Sequence, residues 1–262
     1  MQNSEEILVR TLFISDLHLG FRFSQTNRLL QLLKRYRPDN LYVVGDFIDG
    51  WYVNRGWHWR PECSQIISRL FELSRLGTRL RFVVGNHDRF LHEPLLQQIL
   101  IHSGAQDVGM ELQHRTADGR DFLVTHGDAF DEYEKLPASI GWLFCRAYEL
   151  MLLTNHWWSQ RTTSLCYGPS ALIDVMRKWL PSMANHIQEF QSRTTRYARS
   201  RGFQGIICGH IHAPRHETLD GVTYFNIGDW IESCTALVEE NDGRMWLLRD
   251  RADPVAWPAS WG

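Results

Sequence analysis

Side chains that commonly bind metal ions occur in five short clusters along this 262-residue chain. They comprise histidines, aspartates and one asparagine: Asp16, His18, Asp46, Asn86, His126, His210 and His212. Imidazole and carboxylate ligands together suit divalent manganese, iron or zinc, whereas magnesium and calcium prefer oxygen ligands alone. These seven ligands are too many for one ion, but they fit two ions that share a bridging carboxylate. Because such a pair activates water and binds a phosphoryl group, the residue types predict a two-metal phosphoesterase centre.

Each cluster directly follows a short apolar run of the kind that forms a buried strand. The runs cover residues 11–14, 41–44, 80–84, 122–124 and 205–208. Because ligands in open α/β sheets bind beyond the carboxyl ends of the strands, we expect the five clusters to meet in one place. We also expect Asp16 and His18, like His210 and His212, to lie on one side of an extended segment.

Helical periodicity between these runs indicates an α/β fold. Leucines at helical spacing predict a helix over residues 27–36 that Pro38 stops, and a second helix over 63–76 that ends at Gly77. After residue 205, the runs 222–227, 234–238 and 245–248 predict successive antiparallel strands. The core is therefore expected to end in a β-meander.

The stretch from residue 130 to residue 202 differs from the rest of the chain. It has helical periodicity, no clear strand and four tryptophans: Trp142, Trp157, Trp158 and Trp179. Residues 151–201 carry seven basic and two acidic side chains, although the formal net charge of the whole chain is −2. We therefore predict a single domain over residues 1–262 with a helical insertion at 130–202.

Composition excludes several classes of protein. The nearly neutral charge provides no broad basic face for nucleic acid. Five cysteines without a CxxC pair argue against a disulfide framework or a thiolate zinc site, and favour a reducing cytosol. Glu5 and Glu6 stand where a signal peptide would be basic. The longest apolar region, 141–153, contains Arg146 and Glu149 and is too short to span a bilayer, so we expect a cytoplasmic protein.

Five motifs carry a resemblance to a known family. They are D-x-H at residue 16, G-D-x-x-D at 45, G-N-H-D at 85, H-G-D at 126 and G-H-x-H at 209. In this order they resemble the calcineurin-like metallophosphoesterase superfamily. The resemblance implies an αββα sandwich, in which helices flank two β-sheets. It further implies that one metal ion is held by Asp16, His18, Asp46 and His212, and the other by Asp46, Asn86, His126 and His210.

The same resemblance implies roles for three neighbouring residues. His87 matches the residue that lies by the phosphate and protonates the leaving group or stabilises charge, help that is typically worth about 10²–10⁴-fold in rate. Asp88 is the second catalytic candidate. Asp88 and Asp49 match groups that orient a metal ligand or His87.

Other features resemble the narrower UDP-2,3-diacylglucosamine pyrophosphatase group. They are G-D-F-I-D-G-W from Gly45, N-I-G-D-W-I-E from Asn226, and the long gap between His126 and His210. The resemblance implies cleavage of UDP-2,3-diacylglucosamine to UMP and 2,3-diacylglucosamine 1-phosphate in lipid A synthesis, usually with manganese. It implies that the insertion forms a lid over the acyl chains, with peripheral contact to the inner membrane. In one departure, this group commonly has arginine where this chain has His87.

Several alternatives remain open at this stage. A phosphodiesterase or phosphatase for a smaller substrate, such as a cyclic nucleotide, would have a narrow site without an apolar groove. A non-catalytic, metal-bound interaction module would bind metal without hydrolysing any phosphoester. Two sets of side chains are likewise ambiguous. An aromatic rim at the site or ordinary packing is predicted for Trp51, Trp57 and Trp59. A solvated helix face or a clamp for the substrate phosphate is predicted for Arg193, Arg196 and Arg199.

Overall fold

The computed structural model describes residues 6–52, 56–132 and 181–249. The chain forms two compact units, one comprising Met1–Gly127 with Thr195–Gly262 and the other Asp128–Thr194. Most of the predicted insertion at 130–202 lies outside the described residues. Its described part contains one α-helix, Pro181–Ser200. No helix among the described residues is long and apolar enough to cross a membrane.

The first sheet has six strands in the order β11-β10-β1-β2-β3-β4. The first four strands in chain order, β1 to β4, run parallel, and β10 and β11 add an antiparallel hairpin beside β1. The strands are β1 Ile7–Ile14, β2 Tyr36–Val44, β3 Arg79–Val83, β4 Ala105–Gly109, β10 Thr235–Glu239 and β11 Met245–Arg249.

The second sheet has five strands in the order β5-β6-β7-β9-β8. Its three central strands are parallel, and each edge strand is antiparallel to its neighbour. The strands are β5 Glu111–Arg115, β6 Asp121–Thr125, β7 Gly205–Cys208, β8 Arg215–Leu219 and β9 Val222–Asn226. Two mixed sheets with flanking helices confirm the predicted α/β sandwich.

Successive residues of β1 pack into different cores. Leu12 and Ile14 belong to a core that contains residues of the helices α1 (Thr26–Arg35) and α2 (Pro61–Arg75). Phe13 belongs to a second core that joins residues of both sheets. Because side chains alternate between the faces of a strand, a segment covered on both faces is expected to be apolar at nearly every position. This explains why the strands that carry the clusters appear as continuous apolar runs in the sequence.

The predicted helices are confirmed, but the role assigned to Pro38 was wrong. Helix α1 ends at Arg35 because Tyr36 is already extended, with φ −108° and ψ 138°. Pro38 lies inside β2, opposite Val9 of β1. It is tolerated there because the pairing of β2 with β3 begins only at Asn40, so the missing N–H interrupts no bond to β3. Helix α2 is followed by Gly77 at φ +102°, as predicted.

The predicted β-meander at the end of the chain was also wrong. Strand β9 lies in the second sheet, parallel to β7, whereas β10 and β11 return to the first sheet. Of the three strands predicted for the meander, only β10 and β11 pair with each other, as an antiparallel hairpin. Apolar patterning identifies a strand but does not identify the sheet that it joins. The sequence also gave no prediction for β4, β5, β8 or the third helix, α3 (Pro94–Ser103).

Candidate metal centre

The five clusters meet at the carboxyl ends of strands from both sheets, as predicted. Three clusters follow β1, β2 and β3 of the first sheet, and two follow β6 and β7 of the second. Backbone hydrogen bonds join the loops: the Asp16 N–H donates to Gly45, the His18 N–H to Asp46, and the Gly209 N–H to His126. The structure therefore places all seven predicted ligands in the first unit, within a framework made by the strand ends.

Asp46 lies among the predicted ligands. Its Oδ2 atom is 3.3 Å from Nε2 of His126 and 3.6 Å from Nε2 of His18. The Nε2 atom of His126 is in turn 3.1 Å from Oδ1 of Asn86. A carboxylate in this position can contact two neighbouring cations, which is what a bridging ligand requires.

Asp16 brings together the remaining histidines. Its Oδ1 atom lies 3.1 Å from Nε2 of His212 and 3.9 Å from Nε2 of His18. Its Oδ2 atom accepts the backbone N–H of His210 at 3.1 Å. The ring of His210 packs edge-on against that of His126, with centroids 5.2 Å apart. Ligand atoms of Asp16, His18 and His212 form one compact group, and those of Asp16, Asp46 and His126 form another.

Five of the seven predicted ligands have a left-handed backbone. The φ angles are +52° for Asp16, +44° for His18, +49° for Asp46, +70° for His210 and +48° for His212. The prediction that the two pairs project from extended segments was therefore wrong. Positive φ at a residue other than glycine is uncommon, and strained residues of this kind cluster at functional sites. In the first, second and fifth clusters, the chain therefore turns sharply at the ligand itself.

Two glycines keep these loops close together. Gly45 has φ +75°, and a Cβ atom there would collide with the ring of His126. A Cβ atom at Gly209 would collide with the Asp16 carboxylate. At both positions a side chain would displace a predicted ligand, so the glycines that precede Asp46 and His210 serve the geometry of the centre.

The donor set fits divalent metal ions. The Nε2 atom of His18 is buried and makes no hydrogen bond within the described part of the chain. Its other ring nitrogen, Nδ1, lies 3.1 Å from Oδ2 of Asp49. A histidine that donates one N–H to a carboxylate and leaves the other nitrogen free of hydrogen bonds is the usual form of a metal-binding histidine. The unsatisfied nitrogen, directed at Asp16 and Asp46, is thus consistent with a cation between them.

The electrostatics of the carboxylates agree with that fit. Burial raises the pKa of Asp46, but His126 and His87 outweigh it and hold this pKa well below its ordinary value. Burial likewise opposes a lowered pKa at Asp16, where His126 and His212 prevail. Both carboxylates are therefore ionised at neutral pH, in the form that binds metal.

His87 lies at the open side of this group. Its Nδ1 atom is 3.0 Å from Oδ1 of Asp49, and its Nε2 atom is 3.9 Å from Oδ2 of Asp46. Its side chain keeps 16% of its surface exposed, whereas that of His126 keeps 1%. Burial lowers the pKa of His87, but Asp46 and Asp49 outweigh this effect and raise the pKa. His87 is thus both accessible and biased toward the protonated form.

Asp88 occupies a different position from Asp49. Its two oxygens accept the backbone N–H groups of Gly85 and Phe47, at 2.6 and 2.7 Å. Burial and the charge of Asp46 raise its pKa to about 6. The structure thus shows Asp88 linking the second and third clusters, while Asp49 contacts both His18 and His87.

The N-I-G-D-W-I-E segment, which the sequence connected with function only through a family resemblance, also supports the site. The side chain of Asn226 donates to the Gly209 carbonyl at 2.6 Å, and the Ser15 hydroxyl donates to Gly228 at 2.6 Å. The N–H of Trp230 donates to the carbonyl of Asp16 at 3.0 Å. Polar residues such as Ser15 and Asn226 directly after apolar runs were the available signal, but their partners lie too far along the chain to be inferred.

The contacts of the three tryptophans and of Arg193 bear on the alternatives left open by the sequence. Trp51 stacks on His87 at the site, whereas Trp57 packs against Trp59, with ring centroids 4.6 Å apart. In the second unit, Arg193 forms ion pairs with Glu132 and Glu189 at 2.9 and 3.2 Å. An arginine that pairs with two carboxylates fits the solvated-face interpretation better than a phosphate clamp.

Comparisons with known proteins agree with this geometry. The profile of the family described as Calcineurin-like phosphoesterase matches residues 9–214. Three curated relatives carry the name UDP-2,3-diacylglucosamine hydrolase. The Porphyromonas gingivalis protein is 30% identical over 139 residues, which are 48% of each chain. The Aeromonas salmonicida protein is 29% identical, covering 87% of this chain and 89% of the relative. For Hahella chejuensis the identity is 26%, over 94% and 99% of the two chains.

Proposed function

This chain belongs to the calcineurin-like phosphoesterase family of metal-dependent hydrolases, and we propose that its substrate is UDP-2,3-diacylglucosamine. The products would be UMP and 2,3-diacylglucosamine 1-phosphate, as in lipid A synthesis. One observation carries this choice: relatives with that activity in their names align along about nine-tenths of the chain. The family profile spans residues 9–214 and so includes all five clusters, which favours an enzyme over a non-catalytic metal-bound module.

The proposed ligand sets share Asp46. One ion would be held by Asp16, His18, Asp46 and His212, and the other by Asp46, Asn86, His126 and His210. The short distances from Asp46 Oδ2 to His18 and His126 support Asp46 as the shared ligand. When bound, two such ions supply an activated water and neutralise charge on the phosphoryl oxygens. We propose manganese, with iron or zinc as alternatives that the same donor set would accept.

His87 would act on the leaving group. Hydrolysis forms a bond from the water oxygen to phosphorus, breaks the bond from phosphorus to the leaving oxygen, and transfers one proton to that oxygen. Protonated on both nitrogens, His87 keeps Nδ1–H on Asp49 and can donate from Nε2. With a phosphate as leaving group the same imidazolium would stabilise the negative charge. Asp49 is proposed to orient His87, and Asp88, predicted as catalytic, to hold the loops around it.

The proposal is tested by product analysis. Purified protein with Mn²⁺ and UDP-2,3-diacylglucosamine in detergent micelles should release UMP, with loss of activity on chelation. The matched control is His87→Gln, which keeps a hydrogen-bonding side chain but cannot transfer the proton. No UMP release by a preparation that cleaves an aryl phosphodiester would rule out this substrate and leave the phosphoesterase chemistry intact.

A second candidate function follows from the proton donor. A phosphodiester with an alkoxide leaving group, such as a cyclic nucleotide, needs protonation more than a pyrophosphate does, and His87 is placed to provide it. Cyclic nucleotides should therefore be assayed beside the glycolipid.

Peripheral attachment to the inner membrane is a further part of the proposal. Co-sedimentation of the protein with vesicles of bacterial lipids would test it.

A further inference from the structure

Three consecutive residues hold His87 from three directions. The carboxylate of Asp49 lies 3.0 Å from Nδ1, at one edge of the ring. The N–H of Gly50 donates to the backbone carbonyl of His87 at 3.0 Å. The indole of Trp51 lies against the ring face, with centroids 3.9 Å apart and the planes 20° from parallel.

The stacking contact restricts a motion that the hydrogen bond leaves free. A single hydrogen bond at Nδ1 holds one point of the imidazole, but concerted changes of χ1 and χ2 can still tilt the ring about that point. Any such tilt would move Nε2 away from its present position, 3.9 Å from Asp46. A flat indole against one face blocks the tilt, because rotation would drive the ring into the indole or break the stack.

Core packing does not account for the position of Trp51. The residue keeps 43% of its surface exposed, far more than a tryptophan needs if its purpose were to fill the core. Trp57 is similarly exposed, at 41%, yet it packs on Trp59 and has no stack on His87. The two tryptophans thus form a natural pair for comparison.

We propose that Trp51 is a positioning residue that fixes the plane of His87, so that Nε2 is presented to the leaving oxygen of the substrate. This inference rests on the proton-donor role proposed for His87. The G-D-F-I-D-G-W segment would then have three linked roles: Asp46 binds the metals, Asp49 holds the edge of the His87 ring, and Trp51 packs on its face.

The test compares two substrates that differ only in the leaving group. The p-nitrophenyl and phenyl esters of thymidine 5′-monophosphate share their phosphoryl part. Nitrophenolate is a weak base that leaves without a proton, whereas phenolate is a stronger base that needs a proton to leave. With the Mn²⁺-loaded enzyme, Trp51→Ala should lower kcat for the phenyl ester by about tenfold or more, a part of the roughly 10²–10⁴-fold that general acid help is worth. Its kcat for the nitrophenyl ester should change by less than about threefold, with KM unchanged for both.

Two variants separate orientation from simple damage. Trp51→Phe keeps a flat ring and should restore most of the phenyl ester rate. Trp57→Ala should leave the ratio between the two substrates at the wild-type value. An equal loss on both esters in Trp51→Ala, or a loss of bound manganese, would overturn the positioning role.

His87→Gln separates this inference from the function on which it rests. That variant should show the same selective loss on the phenyl ester, and a larger one. If His87→Gln affects both esters equally, the proton-donor role fails and the role of Trp51 fails with it. If His87→Gln is selective but Trp51→Ala is not, only the stacking inference is wrong.

Discussion

Asp49 connects two histidines that would otherwise be independent. Its two oxygens lie 3.1 Å from Nδ1 of His18 and 3.0 Å from Nδ1 of His87, and the two rings meet edge to face. Both contacts lower the pKa of Asp49, although burial opposes the shift. An ionised carboxylate between two N–H groups keeps a proton on Nδ1 of both rings, so Nε2 of His18 is left to face the proposed ions and Nε2 of His87 to face the proposed substrate.

Replacement of Asp49 by asparagine should therefore impair metal binding and turnover together. An amide accepts at one oxygen only, so at most one of His18 and His87 keeps its partner. We expect the Mn²⁺ affinity to fall about 10–100-fold, the usual effect of losing such a contact. Titration of metal-free protein measures this. Asp107→Asn, which alters a half-exposed carboxylate paired with Arg81, should keep the wild-type affinity; equal affinity in Asp49→Asn would contradict the role.

Gly45 offers a second test at the residue scale. Gly45→Ala adds both a strained positive φ and a collision with His126, whereas Gly77→Ala adds only the strain, since open space surrounds Gly77. The strain costs about 1–2 kcal/mol, and the collision about 1–3 kcal/mol more. Urea unfolding should rank Gly45→Ala below Gly77→Ala, and only Gly45→Ala should weaken Mn²⁺ binding. Equal stability of the two variants would show that His126 moves aside freely.

The sequence predicted which side chains lie together better than it predicted their backbone geometry. Histidine and aspartate types at strand ends were sufficient to bring Asp16, Asp46 and His126 together. The left-handed backbone at Asp16 and His18 was not predictable from spacing, since Asp and His also populate extended conformations. It depends on hydrogen bonds that the backbone N–H groups of Asp16 and His18 donate to the carbonyls of Gly45 and Asp46, residues at the end of another strand.

At the scale of elements, the loop from Asn226 to Ser233 fixes the end of β1. The carbonyl of Gly228 accepts a hydrogen bond from the hydroxyl of Ser15, and the backbone N–H of Trp230 donates to the carbonyl of Asp16. The loop is itself closed by Asp229, whose carboxylate accepts the backbone N–H groups of Ile231 and Glu232 and the hydroxyl of Ser233. A self-contained turn of this kind can hold Asp16 in a strained conformation without help from bound metal.

Ser15→Ala, with a matched control, tests whether the loop from Asn226 to Ser233 fixes the end of β1. The variant leaves the buried Gly228 carbonyl without its donor, at a cost of about 1–3 kcal/mol. Ser74→Ala removes an equivalent bond to the Gly104 carbonyl, also 2.6 Å long, at the end of α2. Both variants should be less stable in urea, but only Ser15→Ala should bind Mn²⁺ more weakly. If metal affinity is unchanged in both, the loop supports the fold alone.

At this scale, the sequence did not reveal the edge strands or the points where the chain crosses from one sheet to the other. Strands β1, β2 and β3 were predictable because their carboxyl-terminal residues are buried on both faces and are therefore mostly apolar. Strands β5 and β8 lie at sheet edges and carry residues such as Gln113 and Glu217, so their patterns resemble loops. The error over β9 arose because Ile227 to Cys234 carries the chain from one sheet to the other, a path set by Asp229 and Asn226 rather than by periodicity.

At the scale of the whole molecule, a buried polar network joins the two sheets. Glu239 of β10 accepts from Thr11 of β1 at 2.6 Å and lies 2.9 Å from Nε2 of His114 in β5. It also accepts from Arg10 and from the N–H of Ala117. Burial opposes the shift, but His114 and Thr11 lower the pKa of Glu239 below its ordinary value of 4.5. The ionised carboxylate therefore contributes to the cohesion of the sandwich.

The contribution of Glu239 should disappear in acid. With a lowered pKa in the folded protein, its stabilisation is complete above about pH 4.5 and declines as the pH falls further, because the unfolded chain takes up the proton first. Glu239→Gln should lose about 2 kcal/mol at pH 7, the value of bonds to a buried charged group. Urea unfolding in chelator at several pH values measures the difference, which should shrink below pH 4.5. Glu217→Gln, at a half-exposed pair, should change stability little at any pH.

The metal centre should also govern the stability of the whole fold, because its ligands come from both sheets. In the structure the partners of Asp46 are histidines, and two bound ions would replace that arrangement by bonds across β1, β2, β3, β6 and β7. Mn²⁺ at about 100 times its dissociation constant should stabilise the folded state by about 2.7 kcal/mol per site. Calorimetry with Mn²⁺ and with chelator should therefore show a rise in Tm. Titration should saturate at two ions per chain. Asp46→Asn, which weakens the shared ligand, should lose most of that rise while remaining folded in chelator. A wild-type Tm that does not respond to Mn²⁺, or saturation at one ion, would contradict a centre that joins the two sheets through a bridging carboxylate.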